Sequence, residues 1–200
     1  MRFPYASGII LVIAGLFMAF ILHQAHYYSL FSLGVLIILL RVHDKIAKKS
    51  LFHSWKKKNY IAFFILMLAS SVAIDLLGIS LGFWTYPSYT SLTDNVMKYV
   101  FEWIIPMTYI MLSLLIGKEI LTKARVKSWS SWVISLVVFV TFIGIITEYI
   151  NHVAGYSWKI LSMPITNYMI GNYFLIFQTV GYWSMALVTL ICYKLAEKIQ

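Results

Sequence analysis

Charge is what this chain has least of. Seven acidic and sixteen basic residues are spread over 200 positions, 12% of the sequence, about half the share of an ordinary soluble domain. The one cysteine, Cys192, excludes an intramolecular disulfide framework. No polar stretch is longer than residues 41–59, too short to bury a core, so no soluble domain is expected. Strand-like alternation at outer-membrane-barrel spacing is absent. So are GxSxG, HExxH, CxxC and a phosphate-binding glycine loop. No DDxxD-type cluster is present to ionise a diphosphate, and no lysine falls within an apolar segment to carry a retinal-type Schiff base.

What is present is apolar. Hydrophobic residues make up 61% of the chain and the mean hydropathy is +0.82. A soluble particle of this size cannot hide that much apolar surface, and a disordered chain would not carry it. The expected class is an all-α integral membrane protein, a six-helix transmembrane bundle forming one domain over residues 1–200. The expected helices are 6–23, 27–41, 60–83, 97–116, 131–152 and 168–193. The first resembles a signal peptide in its Arg2 and apolar run. No small-x-small cleavage site follows, so it reads as an uncleaved anchor.

The cations orient the bundle. Arg2, seven in the 41–59 loop, four at 117–130, and Lys194 and Lys198 in the tail fall on one side, fourteen of the sixteen. Lys98 and Lys159 fall on the other. The positive-inside rule then predicts a cell-membrane protein with both termini cytoplasmic. Anionic lipids at the cytoplasmic face are the expected partners of the basic loops, and nucleic acid is not. His43 and His53 are expected in the cytoplasmic loop, solvated.

Two stretches are alike at an offset of 73 residues. Asp75, Gly78, Gly82, Phe83 and Trp84 recur as Glu148, Asn151, Gly155, Tyr156 and Trp158, with the tryptophan slipped by one. Each acid shares a helix face with the small or polar residues after it. Helices 3–4 and 5–6 are therefore candidates for a duplicated hairpin.

Carboxylates inside a span are costly and face a cavity or a partner. Asp75, Glu102 and Glu148 are the candidate catalytic acids. Trp84, Tyr86, Trp103, Asn151, His152 and Trp158, at the same predicted level, are the candidate substrate-binding residues, and Asn167 and Asn172 lie there too. Together they predict a polar, aromatic-lined pocket opening outward. Protonated carboxyls facing an apolar cavity are general acids, and aromatic faces stabilise cationic charge. That pairing suits protonation of an isoprenoid or lipid alkene, so a hydrophobic small molecule is the expected ligand and no cofactor is implied. No metal is expected; were one bound, the spacings point to His23, His26 and His152 as its ligands.

The run Asp75-x-x-Gly78-x-x-x-Gly82-x-Trp84-x-Tyr86, followed by Glu102 and Pro106, resembles membrane-embedded carotenoid-modifying proteins of the lycopene cyclase domain and carotenoid hydratase type. The resemblance covers about 60 residues. It implies a helical bundle acting on long polyenes, with Asp75, Glu102 and Glu148 as proton donors. Two alternatives stay open. One is a non-catalytic membrane assembly or immunity factor. The other is the substrate-binding subunit of a vitamin transporter, for which Ser7, Gly8, Ala14, Gly15 and Ala19 would supply the small residues of a motor contact.

Overall fold

The computed structural model describes residues 5–24, 26–87, 89, 91–161, 169–170 and 173–199, the side chains of 169–177 excepted. Asn167, Asn172 and Pro164 lie outside the described residues and side chains. Six helices form the described chain: α1 (Tyr5–Phe20), α2 (Tyr27–Ala47), α3 (Lys57–Ser80), α4 (Leu92–Lys123), α5 (Ser128–Val153) and α6 (Leu175–Glu197). Helices α3, α4, α5 and α6 are long and apolar enough to cross a membrane. Helix α1 is apolar but has only 16 residues, and α2 ends in a charged turn with Arg41, Asp44 and Lys45.

Several helix bounds differ from expectation. Helix α2 continues past Arg41 to Ala47, which buries His43 beside Asp44 rather than solvating it. Helix α4 starts at Leu92 instead of 97, because Ser91 and Asp94 form a reciprocal cap: Asp94 N donates to Ser91 Oγ (3.1 Å) and Ser91 N to Asp94 Oδ2 (2.9 Å). Pro106 therefore lies inside α4. It has no N–H for the carbonyl four residues back, that of Glu102, and the helix widens into a π turn over Lys98–Ile104 just before it. Helix α6 starts at Leu175 rather than 168, after a hairpin of β3 (Met169–Ile170) and β4 (Tyr173–Phe174).

Helix α4 is the axis of the bundle. It buries most of its circumference, from Pro106 through Leu114 without a gap, while α3, α5 and α6 bury one stripe and present isoleucine, leucine, valine and phenylalanine outward. A helix hydrophobic all round is one enclosed by others or by lipid. Beside this core, α1 and α2 form a tight hairpin. Gly8, Gly15 and Gly34 let the backbones touch, and a Cβ on Gly15 would stand 2.7 Å from the Phe31 backbone nitrogen. Of the small residues of α1, Gly8, Gly15 and Ala19 are thus buried within the chain, and Ser7 and Ala14 are partly exposed.

The helix ends sort into two groups. At one end, Asn59 Nδ2 donates to the carbonyls of Ala196 (2.8 Å) and Ile199 (2.9 Å), Tyr193 OH donates to Leu51 O (2.8 Å), and Lys123 contacts the Ile46 carbonyl. This basic end also holds an aromatic cluster that sequence reasoning did not foresee. Trp55 stacks on Tyr193 at 5.1 Å, with Phe52, Tyr60 and Phe63 around it. At the other end β1 (Trp84–Thr85) pairs antiparallel with β2 (Lys159–Ile160), joining the α3–α4 and α5–α6 connections.

Because Gly15 faces backbone rather than a side chain that could swing away, Gly15→Leu is expected to destabilise the α1–α2 hairpin by about 1–3 kcal/mol. A lowered thermal midpoint of the detergent-solubilised protein would show it; an unchanged midpoint would contradict the close packing.

Candidate functional site

The two similar stretches end their helices in the same way. After α3, Phe83 N donates to Gly78 O (2.8 Å) and Gly82 N to Ile79 O (3.0 Å); after α5, Tyr156 N donates to Asn151 O (2.9 Å) and Gly155 N to His152 O (3.2 Å). These are matching 6→1 and 5→2 caps. They need a left-handed residue, which Gly82 (φ 71°) and Gly155 (φ 88°) supply. Tyr156 also has positive φ, 69°. That extra turned residue accounts for the one-position slip between Trp84 and Trp158.

Each cap returns a tryptophan toward the acid two turns earlier. Trp84 Nε1 donates to Asp75 Oδ1 at 3.0 Å, and Trp158 Nε1 donates to Glu148 Oε1 at 3.1 Å. Gly78 makes the first contact feasible, because a Cβ there would overlap the Trp84 ring. In the second stretch Asn151 replaces that glycine. It pins the loop, donating from Nδ2 to Trp158 O (2.8 Å) and accepting at Oδ1 from Ser157 N (2.8 Å).

The two acids then differ. Asp75 is fully buried and ion-paired: Lys98 Nζ lies 2.8 Å and Tyr99 OH 3.0 Å from Oδ2. Lys98, expected at the outer surface, is buried too, with Nζ 4.4 Å from the Tyr86 ring centre and 4.6 Å from that of Tyr99. Glu148 has Tyr182 OH, at 3.0 Å, as a second donor to Oε1. Glu102, on the π turn, accepts from Tyr89 OH at Oε1, while its buried Oε2 has no hydrogen-bond partner within bonding distance among the described residues. Burial, with Glu102 beside it, pushes the Tyr89 phenol well up, so Tyr89 stays an O–H donor.

A cavity of about 310 Å³ lies between α3, α4, α5 and α6 at this end of the bundle. Glu102 and Glu148 both line it, with Trp84, Tyr86, Trp103 and Trp158. Trp103 Nε1 donates to Tyr86 OH at 2.9 Å, and Trp158 packs edge-on to Tyr28 at 4.7 Å. Three of the expected site residues are not on its wall. Asp75 stands behind Trp84, Asn151 supports the loop, and His152 is exposed with Nδ1 2.6 Å from Tyr156 OH. Residues missed by sequence reasoning also line it, notably Tyr28, Gln178 and Tyr182. Tyr28 and Tyr182 come from helices α2 and α6, outside the repeated stretch, so no motif announced them.

The histidines do not converge. His23 Nδ1 is 3.1 Å from Val153 O, and His26 stacks edge-on against Tyr89 at 5.4 Å. Among the described residues no three His, Cys, Asp or Glu side chains are grouped to hold a metal ion.

Comparison with protein-family models, with curated proteins and with solved structures gave no match.

Breaking a buried ion pair strands a charge and costs about 3–5 kcal/mol, whereas removing both charges costs far less. Lys98→Met is therefore expected to lower thermal stability strongly, and adding Asp75→Asn to restore most of it. Additive losses in the double variant would show that the pair is not the unit holding this corner.

Proposed function

We propose that the chain is a membrane enzyme that rearranges an isoprenoid or related lipid alkene by proton transfer, with Glu102 and Glu148 as its acid–base pair. The observation that carries this reading is the placement of two carboxyl side chains, neither with a cation bonded to it among the described residues, on one aromatic-lined cavity. Asp75 stands apart: with Lys98 on it, its role is to hold Trp84 and the start of α4 in place.

In this reading the six helices span the cell membrane with both termini in the cytoplasm. The sorting of cations to one end and the apolar outward faces support that placement. The matching caps and indole–carboxylate bonds support a duplicated hairpin for α3–α4 and α5–α6. Lateral burial of Gly8, Gly15 and Ala19 against α2 counts against a transporter motor contact on α1.

The chemistry balances without a cofactor. One carboxyl O–H breaks as an alkene π pair takes its proton, forming a C–H bond and leaving a carbocation beside a carboxylate. The neighbouring π bond closes a ring onto that cation, or the cation stays open. A proton then leaves the adjacent carbon for a carboxylate and the double bond re-forms. The net change is an isomerisation or cyclisation. The tryptophan and tyrosine faces stabilise the cation, and the mainly apolar wall disfavours the water that would capture it.

The test is mass spectrometry of lipid retained by the gently purified protein, then turnover of that lipid by reconstituted protein in heavy water. Product should carry deuterium. Glu148→Gln and Glu102→Gln should each lower the rate by about 10²–10⁴-fold while inserting normally. Full turnover in both variants, or no retained alkene, would overturn the proposal.

A further inference from the structure

Among the described residues the cavity reaches the side of the bundle. Three of its wall residues, Leu77 on α3 and Val180 and Ser184 on α6, are exposed at the outer surface of the bundle, and Gly181 beside them is half-buried. Leu77 is 60% exposed and Val180 48%, so each belongs to the cavity wall and the lipid-facing surface at once. A Cβ placed on Gly181 would meet nothing within 4 Å. Val180, Gly181 and Ser184 sit within one turn of α6 and so form one edge of the gap.

The rest of the enclosure explains why the gap is here. Toward the basic end, α3 and α6 are tied together: Asn59 bonds the Ala196 carbonyl and Ser70 Oγ lies 3.6 Å from Cys192 Sγ. Met67, Met107, Cys192 and Tyr193 fill the space between them. Above that plug the cavity separates the two helices. Across its outer end runs the β1–β2 ribbon, placing Trp84 and Ile160 on the cavity and closed further by Leu161 N donating to Phe83 O (2.9 Å). The floor is packed, the top is crossed by backbone, and the flank between α3 and α6 is edged by exposed side chains.

We propose that the cavity is loaded sideways from the bilayer through a portal between α3 and α6, and that its ligand is a linear apolar chain dissolved in the membrane. The inference rests on reading the cavity as the substrate site and narrows the substrate to a bilayer-resident chain. A portal edged by Leu77, Val180 and Gly181 passes hydrocarbon without dehydrating a polar group, and the chain can lie with one segment between Glu102 and Glu148 and its remainder in lipid. A water-soluble ligand gains nothing from that route.

The full chain, reconstituted in phosphatidylcholine–phosphatidylglycerol vesicles, is irradiated with one of two photoreactive probes. One is hexadecanol with a mid-chain alkyl diazirine, which partitions into the bilayer. The other is a diazirine-bearing sugar confined to water. Alkyl diazirines mark carboxyl groups, so peptide mapping reads occupancy at Glu102 and Glu148. Hexadecanol is expected to label these residues and the sugar is not. Gly181→Phe should cut the hexadecanol label about tenfold, while Gly181→Ala leaves it unchanged. If Gly181→Phe fails to fold, Leu77→Trp plugs the same gap from an exposed position. Absence of hexadecanol label at both carboxylates, label that survives the folded plug variant, or equal labelling by the sugar would overturn the portal. Occupancy is read without turnover. Labelling that follows the plugs while Glu148→Gln and Glu102→Gln stay fully active would leave the portal standing and remove the catalytic reading.

Discussion

The buried Asp75 carboxylate is the constraint on which this end of the molecule depends. An ion cannot be left bare in a low-dielectric interior, and Asp75 is met by donors from two parts of the chain: Trp84 in the loop after α3, and the adjacent Lys98 and Tyr99 on α4. Satisfying it fixes the return of the chain after α3, the seat of the Trp84 ring over Gly78, and the rotation of α4 at its first turns. The β1 strand is then in place to pair with β2, which ties the second, similar loop to the first. Glu102, one turn along α4 from Lys98, is carried to the cavity by the same rotation.

The two similar stretches show one local solution put to two uses. In both, a glycine-capped helix end turns an indole back onto an acid of the preceding helix. In the first, a buried ammonium joins the acid and the corner becomes structural. In the second, no cation among the described residues reaches the acid; Tyr182 joins Trp158 as a donor and Glu148 faces the cavity. Asymmetry between near copies is how a supporting corner and a reactive one can share a single design. The α1–α2 hairpin adds to it, since it packs on α4 and α5 and brings Tyr28 to the cavity from that side only.

The placement of Glu102 has a covalent origin. Pro106 withholds an N–H from α4, and the wide turn before it absorbs the missing bond. A π turn also crowds one more residue into the helix surface, and here that surface carries Lys98 toward Asp75 and Glu102 toward the cavity. Glu102 Oε2, without a hydrogen-bond partner among the described residues, sits on this turn. Groups of this kind mark places where polar satisfaction has been given up within the protein itself.

Composition and periodicity by themselves determined the helical class, the approximate spans, the sorting of cations to one end and the similarity of the stretches around Asp75 and Glu148. Those features follow from local rules: apolar runs, charge exclusion and capping glycines are written in consecutive residues. The same rules found the ring of aromatic residues at the site level, because their helix or loop positions set their depth. What only the tertiary structure decided was which of them meet. Lys98 reads as a surface cation until α4 is seen to start at Leu92 and turn it onto Asp75. Asn151 and His152 read as cavity residues until Asn151 is seen to pin the loop that carries Trp158 and His152 to stand exposed. Tyr28 and Tyr182 carry no motif, since their place on the cavity comes from the rotation of α2 and α6 about their own axes. That rotation is set by packing against α4 and α5, a sum over many weak contacts that no short window of sequence contains.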